Sequence, residues 1–518
     1  MFRTNILLKI IDLLCALAQR NYDFYCWLLA RFPTWSERAA LRMAWRAFMR
    51  ARAQVPAYSA FLNRHNGFQH HQGTLAEQFV HIPETDKNGY VRAFTIAERC
   101  IDGRIPTHHI IVDESSGSTG TPYNWVRSRA EVFYTRRACS YFHRYYFGNQ
   151  PLFVINAFSM GAWATGVTVG AALEANGIVK STGPDLDKIL HTLRFFGPGY
   201  HYLITGYPPF LKRLLDYGEE QGLDWSTYHL LGLVGGEGMS EGLRRYLLRH
   251  FEKVLSGYGA SDLEVGVAAE SDLSILLRQL MEERSDVREA LIGSDHRVPM
   301  LFQYNPLDHY IEVNAKRELI ITITRPILAP RIRYNINDQG GIISYSELCR
   351  RLRQVGIDVQ TLLPKGVRWA RLPFVYVFGR RDSTISYMGA NIYPEDVEAG
   401  LFASVHANRL GAFCMELVED EHTHEVCPCI HVEVMDGDLT DTLIQELRSI
   451  LLSKLSELNA DFRQAVYEDG HTSALQVVLH HAGQGPFTQN IGRIKRRYIT
   501  EAASRATSAQ ALSPTMSA

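Results

Sequence analysis

The most informative stretch of this chain for its fold is Ser115-Ser116-Gly117-Ser118-Thr119-Gly120-Thr121-Pro122. It consists almost entirely of glycine and small hydroxyl residues, so its backbone N–H groups and hydroxyls are accessible with no bulky side chain in the way. Such a loop suits a polyphosphate. It is not a P-loop, because the ending Gly120-Thr121-Pro122 lacks the Gly-Lys-Ser/Thr of that motif.

A Ser/Gly-rich stretch can also be a flexible linker. Linkers are rarely preceded by an apolar strand, and His109–Val112 has the pattern of one. Linkers are also rarely followed by aromatic and apolar residues such as Tyr123, Trp125 and Val126. The flanking residues therefore favour a loop that is built into a folded domain.

The composition is that of an ordinary globular protein. The residues are 46% hydrophobic and 21% charged. The length of 518 residues predicts two or three domains with large cores. The formal net charge of −1 argues against a nucleic-acid binder, which usually carries a basic surplus. The eight cysteines are scattered, so a reducing, cytoplasmic location is expected rather than a disulfide framework.

The N-terminal segment Ile6–Ala18 is rich in leucine and isoleucine but contains Lys9 and Asp12. It is shorter than the about 20 apolar residues of a membrane span, so no transmembrane segment is predicted. Its apolar residues recur at helical spacing, which predicts an amphipathic helix. Packing of this helix on the protein core is favoured, and a membrane surface is the alternative.

Between residues 150 and 260, short apolar runs alternate with amphipathic segments of helical length. Four runs are predicted to be strands: Leu152–Ile155, Tyr200–Thr205, Leu230–Val234 and Lys253–Leu255. Two of the segments are predicted to be helices: Pro209–Gly222 and Ser240–Phe251. This alternation is typical of βαβ units, which predicts an α/β fold with a parallel sheet. Right-handed crossovers then place the strand-to-helix loops at one edge of the sheet.

Four of these loops are rich in glycine, aromatic and small polar residues: Ser159–Trp163, Thr205–Pro208, Gly235–Gly238 and Gly257–Asp262. Open α/β sheets bind their ligands at the carboxyl ends of the strands. A single loop of this kind is more often a simple cap of a strand or helix, whereas four in series are equally well explained by function. The pattern therefore predicts a binding site beside the four loops.

The rest of the chain predicts a helical insertion over residues 272–296 and a hairpin over residues 310–324. The pattern changes at Gly379, after which a strand, a turn, and helices such as Leu443–Leu458 alternate with strands such as Leu475–His480. The predicted division is a large N-terminal domain with parallel-rich sheets (residues 1–378), a small mobile α+β C-terminal domain (379–500) and a disordered tail (501–518).

The C-terminal region contains several side chains that could bind a metal: His422, His424, Cys427, Cys429 and His431. The Cys-Pro-Cys spacing differs from the Cys-x₂-Cys of a zinc knuckle. The residues Val426–Val434 also alternate as a strand does. We therefore interpret this stretch as a strand and not as a zinc site.

Five motifs follow one another along the chain. Each alone is weak evidence of a relationship, whereas five in this order are strong evidence. They are Glu-Ser-Ser-Gly-Ser-Thr-Gly-Thr-Pro (114–122), Gly-Gly-Glu-Gly (235–238), Tyr-Gly-Ala-Ser-Asp (258–262), Arg-Ile-Arg-Tyr-Asn-Ile-Asn-Asp (331–338) and Gly-Arg-Arg-Asp (379–382). In this order the chain, from about residue 50 to 497, resembles the adenylate-forming superfamily of acyl-CoA synthetases and peptide-synthetase adenylation domains. It is most similar to the phenylacetate–CoA ligase and capsule-biosynthesis branch, through Val55–Phe61, Ile82–Lys87 and Met388–Glu398.

The resemblance implies a reaction in two steps. A small-molecule carboxylic acid attacks the α-phosphate of ATP, with Mg²⁺ as cofactor, and gives an acyl-adenylate and pyrophosphate. A thiol, most often that of coenzyme A, then takes the acyl group. A carrier-protein thiol or an amine is the alternative acceptor, and a catalytically reduced nucleotide-binding scaffold is the alternative of another class. The acid and the oligomeric state stay open.

The resemblance also implies a role for each matching residue. The phosphates would be held by Ser115, Ser116, Gly117, Ser118, Thr119 and Gly120. The nucleoside would be contacted by Gly235, Gly236, Glu237, Tyr258, Gly259, Asp338 and Arg380. Ser261 would contact the phosphate, Asp262 would hold Mg²⁺, and Asp382 would be the hinge of the C-terminal domain. The acyl pocket would be lined by Phe158, Trp163, Tyr207 and Ala260, which favours an aromatic or apolar acid.

Two positions depart from the pattern of the superfamily. Asp262 stands where glutamate is usual, and one methylene matters because Mg²⁺ binds oxygens at about 2.0–2.1 Å. Arg493 stands where relatives carry the lysine that reaches the α-phosphate, and Lys495 lies two residues further on. A planar guanidinium is not equivalent to an ammonium. Adenylation then depends on Arg493 or on Lys495, or it is impaired.

Overall fold

The computed structural model of the protein describes residues 31–65, 67, 73–115, 123–161, 164–236, 238–239, 241–295, 298–363, 369–380, 385–388, 390–392, 396–397, 400–401, 403–419, 426–469 and 475–488. The predicted N-terminal helix Ile6–Ala18 and the predicted tail 501–518 lie outside these residues. They therefore stay predictions.

The described chain begins with three helices, α1 (Pro33–Gln54), α2 (Pro56–Arg64) and α3 (Leu75–Val80). Pro56 separates α1 from α2, because proline has no N–H to continue a helix and its fixed φ suits the first helical position. Thr74 and Glu77 form a capping box at the start of α3. Aromatic side chains of α1 and α2 are buried in the main core, among them Phe48, Tyr58 and Phe61.

A β-hairpin of β1 (Ile110–Ser115) and β2 (Tyr123–Ser128) follows. The strands are antiparallel with Ser115 opposite Tyr123, so the polar stretch connects two paired strands rather than two domains. The strand predicted from His109 begins one residue later, because His109 has a φ of +62°, outside the strand region.

One mixed sheet of eleven strands dominates the fold. Its strands are β3 (Leu152–Asn156), β4 (Gly177–Ser181), β5 (His201–Gly206), β6 (His229–Gly235), β7 (Phe251–Ala260), β8 (Glu264–Ala269), β9 (Met300–Tyr304), β10 (His309–Val313), β11 (Glu318–Ile323), β12 (Tyr334–Ile343) and β13 (Phe374–Arg380). They lie in the order β10-β11-β12-β13-β9-β8-β7-β6-β5-β3-β4. Strands β3 to β7 pair in parallel, which confirms the α/β class, and the others pair antiparallel.

Helix α4 (Arg129–Phe147) joins the β1–β2 hairpin to β3. The parallel strands are connected by α5 (Ala164–Leu173), α6 (Leu186–Phe196), α7 (Pro208–Glu220) and α8 (Glu241–Leu247). Both faces of the parallel strands are covered, since Phe153 and Ile155 of β3 belong to one hydrophobic cluster and Leu152 and Val154 to another. This is why these strands are apolar runs in the sequence. Within the described ranges, no helix combines the length and the apolar character that crossing a bilayer requires.

Two predicted boundaries are wrong around β7. The helix predicted over Ser240–Phe251 ends at Leu247, and Phe251 already begins β7. The strand then runs to Ala260, through most of the motif predicted to be a loop. Antiparallel pairing with β8, in which Tyr258 lies opposite Ala268, extends the strand. Pairing of this kind depends on a neighbouring strand and is weakly encoded in local sequence.

The predicted helical insertion is confirmed as α9 (Asp272–Glu283) and α10 (Ser285–Ile292). The predicted hairpin is confirmed as the antiparallel pair β10–β11, with Arg317 at positive φ in its turn. Two further helices, α11 (Tyr345–Gln354) and α12 (Val359–Leu362), precede β13 and pack with the insertion in a separate hydrophobic cluster.

The C-terminal part has its own sheets. A ribbon is formed by β14 (Ile385–Tyr387) and β15 (Ala390–Ile392), and a three-stranded sheet by β16 (Leu410–Glu419), β17 (Val426–Val434) and β18 (Gln476–His481), with helices α13 (Asp441–Leu458) and α14 (Ala460–Asp469). The strand Val426–Val434 has the bounds predicted for it. Residues 381–384, at the predicted domain boundary, lie outside the described residues, so the division into domains stays a prediction.

Candidate functional site

A cavity of about 1010 Å³ opens at the carboxyl ends of the parallel strands. Residues predicted for the site line it: Phe158, Tyr207, Gly235, Gly236, Tyr258, Gly259, Ala260, Ser261, Asp262 and Asp338. The topology explains this grouping, because β3, β5, β6 and β7 are parallel neighbours and their last residues meet at one edge. The structure thus brings these residues together, while their individual roles stay predictions.

For the other predicted site residues, the structure does not describe the side chains. Those outside the described residues are Ser116, Gly117, Ser118, Thr119, Gly120, Trp163, Glu237, Asp382, Arg493 and Lys495. For Ser115 and Arg380 the structure gives backbone positions, at the ends of β1 and β13. Arg380 lies opposite Asp338 in the register of β12 and β13, so its backbone is beside the cavity wall.

The β1–β2 hairpin is fixed to the turn that follows β7. Arg127 of β2 forms an ion pair with Asp113 of β1. The same guanidinium donates to the backbone oxygens of Ser261 and Leu263, at 2.7 and 2.6 Å. Hydrogen bonds from a charged donor are stronger than neutral ones. Strands β1 and β2, which flank the polar stretch, are therefore held next to Ser261 and Asp262, the predicted phosphate and Mg²⁺ ligands.

Asp262 lines the cavity and is only 5% exposed. Its Oδ2 accepts a hydrogen bond from the Tyr334 hydroxyl at 2.7 Å, and Lys87 Nζ lies 3.7 Å from its Oδ1. Its backbone oxygen accepts from Arg331 Nε at 2.7 Å. The carboxylate is therefore held in one orientation, between the motif that contains Tyr334 and a lysine from the N-terminal region.

Lys87 is a residue of the site that the sequence pattern does not indicate. Its position is set by Thr85, whose backbone pairs with β12, since Asn335 N donates to Thr85 O at 2.7 Å. The local signal is membership of the Ile82–Lys87 motif, which says nothing about a partner as distant in sequence as Asp262. Its contact could therefore be found only from the tertiary structure.

Tyr258 and Asp338 form a hydrogen-bonded pair at the cavity wall. The Tyr258 hydroxyl donates to Asp338 Oδ2 at 2.5 Å. The ring of Tyr258 stacks on Phe302, with ring centroids 5.6 Å apart and planes at 23°. This contact fixes the plane of the Tyr258 ring. A fixed ring plane is what the predicted stacking of Tyr258 on adenine requires.

The apolar end of the cavity lies at Phe158 and Tyr207, whose rings meet edge-on with centroids 5.6 Å apart. Gly236 has a φ of +87°, and a Cβ on it would lie 2.8 Å from the Tyr207 ring. A larger residue at this position would be strained and would displace the ring. Leu233 and Val265 add aliphatic surface to the lining. This end of the cavity suits an apolar or aromatic group.

Glu264 cannot replace Asp262 as a ligand, because its carboxylate is committed to other partners. It is bound by both terminal nitrogens of Arg325, and His309 Nε2 lies 2.5 Å from its Oε1. Burial would raise the pKa of Glu264, but Arg325 and His309 outweigh burial and hold that pKa well below its usual range. Glu264 is therefore ionised and buried beneath the site.

A second buried network of charges supports the loops of the cavity. Arg244 Nη2 lies 2.6 Å from Glu270 Oε1, and Arg278 Nη1 lies 2.6 Å from Glu241 Oε1. The four side chains are at most 4% exposed. Arg278 also donates to the backbone oxygen of Met239 at 2.9 Å. The network therefore ties the glycine-rich loop after β6 to helix α9.

His143 of α4 lines the cavity and is 2% exposed. Its ring stacks on Phe147, with centroids 5.1 Å apart, and neither ring nitrogen has a hydrogen-bond partner among the described residues. Burial, with a smaller contribution from Arg144, lowers the pKa of His143 to about 4. The imidazole is therefore neutral at pH 7.

We expect His143 to make the stability of the protein depend on pH. The unfolded chain takes up a proton near the ordinary pKa of 6.5, and the folded chain only near 4. The contribution is fully present above pH 6.5 and is lost as the pH falls toward 4, by roughly 3 kcal/mol in total. In urea unfolding, His143→Phe should reduce the loss of unfolding free energy over this range. The exposed His191→Phe is the control, and an unchanged profile in H143F would contradict the expectation.

The C-terminal part closes one side of the cavity. Met388 and Ala390 of the β14–β15 ribbon, Glu416 and Glu419 of β16, and Asp461 of α14 all line it. The cavity therefore lies between the eleven-stranded sheet and the C-terminal sheet.

No protein-family model matches the chain, and no curated protein does. The chain is similar to the solved structure of 2-hydroxyisobutyryl-CoA ligase in complex with 2-HIB-AMP and CoA in the thioesterification state, with a TM-score of 0.62 and 16% identity over 93% of each chain. It is also similar to that ligase in the postadenylation state with R3-HIB-AMP (TM-score 0.52, 14% identity, 92% of this chain and 91% of that chain). The chain therefore has the fold of 2-hydroxyisobutyryl-CoA ligase.

Proposed function

We propose that this protein activates a small carboxylic acid with ATP to an acyl-adenylate and then transfers the acyl group to the thiol of coenzyme A. The observation that carries the proposal is the cavity, where a fixed carboxylate (Asp262), the Tyr258–Asp338 pair and the glycine-rich loop after β6 meet within an acyl-CoA ligase fold. The ligase structures of similar fold contain an acyl-adenylate and coenzyme A, which supports both steps. The motifs favour the phenylacetate–CoA ligase-like branch.

The first step needs a site that stabilises negative charge on phosphate oxygens. The docked hairpin would present the N–H groups and hydroxyls of the polar stretch to the β- and γ-phosphates. Asp262 fits a Mg²⁺ ligand, because Mg²⁺ at phosphate sites is held by one or two carboxylates together with the phosphates. When bound, the ion would neutralise charge on the phosphate oxygens. Lys87 would add a second positive charge beside Asp262.

Other residues would bind the nucleoside, reach the α-phosphate and allow the domain to rotate. Asp338 would accept hydrogen bonds from the ribose hydroxyls, and Tyr258 would stack on the adenine. Arg493 or Lys495 would reach the α-phosphate during adenylation. Asp382 would be the hinge about which residues 379–500 rotate relative to residues 1–378 between the two steps.

The substrate that we propose is an aromatic or apolar acid, because Phe158 and Tyr207 form the apolar end of the cavity. The test is the release of pyrophosphate from ATP and Mg²⁺ with a panel of aromatic, aliphatic and hydroxylated acids. We expect release that depends on the acid and is fastest with an aromatic or apolar one. Binding of ATP without turnover on any acid would contradict the proposal and favour the scaffold alternative.

The acceptor is tested separately, once an acid is found. Coenzyme A, a phosphopantetheinylated carrier protein and simple amines are compared at equal concentration, and the thioester or amide product is measured by mass spectrometry. Acyl transfer to coenzyme A is expected to be fastest. Faster transfer to the carrier protein or to an amine would still support the first step, but it would identify that compound, and not coenzyme A, as the acceptor.

A further inference from the structure

The C-terminal sheet has one apolar face and one face that carries metal-binding side chains. In the antiparallel pair β16–β17, Glu416 lies opposite Cys429, and Cys414 lies opposite His431. Side chains on a strand alternate between faces, so all four belong to the same face. The alternate residues form the other, buried face: Phe413, Met415, Ile430 and Val432. Cys414 and Cys429 of the first face are buried as well, but they lie outside this hydrophobic cluster.

Three of these side chains converge on one point. His431 Nε2 lies 2.8 Å from Glu416 Oε1 and 3.6 Å from Cys429 Sγ. All three ligand atoms lie within 4.8 Å of one another. Cys429 and His431 are buried, at 0% and 6% exposure, and Glu416 is half-buried. One carboxylate oxygen, one sulfur and one imidazole nitrogen thus share a small volume that is largely shielded from water.

The spacing matches what a tetrahedral zinc ion needs. Zinc binds histidine nitrogen at about 2.0–2.1 Å and cysteine sulfur at about 2.3 Å, so two such ligands lie about 3.5 Å apart. The distance between His431 Nε2 and Cys429 Sγ is 3.6 Å. The contact between His431 and Glu416 would have to widen by about 0.5 Å to admit the ion. A rotation of the Glu416 side chain supplies a movement of this size.

The second nitrogen of the His431 ring is also engaged. His431 Nδ1 lies 2.9 Å from Nε2 of His480 on β18. A hydrogen bond at Nδ1 orients the ring and, in the tautomer with the proton on Nδ1, directs the lone pair of Nε2 toward Glu416 and Cys429. Metal-binding histidines almost always carry such a partner on their other nitrogen. His480 therefore supplies the support that a ligand histidine requires.

We propose that Glu416, Cys429 and His431 bind a zinc ion on this face of the C-terminal sheet. Thiolate and imidazole ligands favour zinc over magnesium or calcium, which prefer oxygen. The ion would link β16 to β17 directly and to β18 through His480. The bound ion would therefore stabilise the C-terminal part, by an amount that rises with the logarithm of the free zinc concentration once this exceeds the dissociation constant. Because Glu416 also lines the main cavity, the ion would lie at the cavity wall.

The strand prediction is confirmed, but the proposed site departs from our interpretation of the sequence that this stretch is not a zinc site. The residues Val426–Val434 do form a strand, and the pairing of that strand with β16 supplies the third ligand, Glu416. Cys427 lies on the same strand but outside the converging group. The Cys-Pro-Cys spacing is therefore not the relevant signal, and Cys427 offers a matched control.

The test uses the full chain, freed of metal with a chelator and then titrated with Zn²⁺ and, separately, with Co²⁺ as a spectroscopic probe. We expect one bound equivalent of zinc by mass spectrometry and a thiolate-to-cobalt charge-transfer band in the native chain. Cys429→Ser should abolish the band, and His480→Gln should weaken zinc binding by about 10- to 100-fold. Cys427→Ser should bind as the native chain does.

The native chain alone can overturn the proposal, so the result does not depend on whether a variant folds. Zinc at well below one equivalent, or cobalt bound without the thiolate band, would mean that Glu416 and His431 form an ion pair only. Zinc should also raise the melting temperature of the native chain but not that of Cys429→Ser or Glu416→Gln. An equal rise in these variants would place the metal elsewhere and contradict the proposal.

Discussion

Replacing Asp262 by asparagine is expected to lower acid-dependent pyrophosphate release by roughly 100-fold or more. Asparagine has the size of aspartate and can still accept the hydrogen bond of Tyr334. It carries no charge, however, so it would lose its attraction both for Mg²⁺ and for Lys87. The loss would therefore concern phosphate chemistry and not the shape of the cavity.

Two measurements separate this effect from misfolding. The melting temperature of Asp262→Asn should stay within a few degrees of the native value, since asparagine keeps the hydrogen bond of Tyr334 and the ion pair that it loses is long, at 3.7 Å, with a partly exposed lysine. Asp262→Glu keeps the negative charge, introduces the residue that the sequence resemblance implies at this position, and should retain activity far above that of D262N. Pyrophosphate release by D262N within threefold of the native rate would show that Asp262 does not hold the metal.

The parallel half of the large sheet could be predicted because its physical cause is local. Strands covered on both faces are apolar throughout, as in Leu152–Ile155 and Leu230–Val234. Part of the antiparallel half has no such signature. Strand β12 contains Asn335, Asn337 and Asp338, residue types that are depleted in strands, and Asn337 even has a φ of +64°. Its pairing with β13 holds it in the sheet.

The candidate site also contains some residues that the sequence indicates and others that it does not. Glycine-rich motifs mark the strand ends, so Gly235, Gly236 and Tyr258 could be placed from the sequence. Lys87 and His143 could not, because each gains its significance from a contact or a cavity formed by distant parts of the chain. The proposed zinc ligands show the same limit, since spacing along one strand cannot reveal a carboxylate on the neighbouring strand.

Replacing Glu270 by alanine is expected to destabilise the protein by about 3–5 kcal/mol. Glu270 accepts hydrogen bonds from Arg244 at 2.6 Å and from the backbone N–H of Ser256 at 2.8 Å, and Arg278 lies 3.3 Å away. Its removal leaves two guanidinium groups to share one carboxylate in a site that water does not reach. An uncompensated buried charge costs far more than a lost surface contact.

The matched control is Glu282→Ala. Glu282 also pairs with an arginine, Arg245, at 3.0 Å, but both side chains are at least 40% exposed. Exposed pairs contribute about 0–1 kcal/mol, so E282A should unfold in urea nearly as the native chain does. A separate titration with ATP should show weaker binding to Glu270→Ala than to the native chain, because Arg278 also holds the backbone of Met239 beside the cavity. If E270A were as stable as E282A, the buried charges would not hold the loops of the site, and the network would be a by-product of packing.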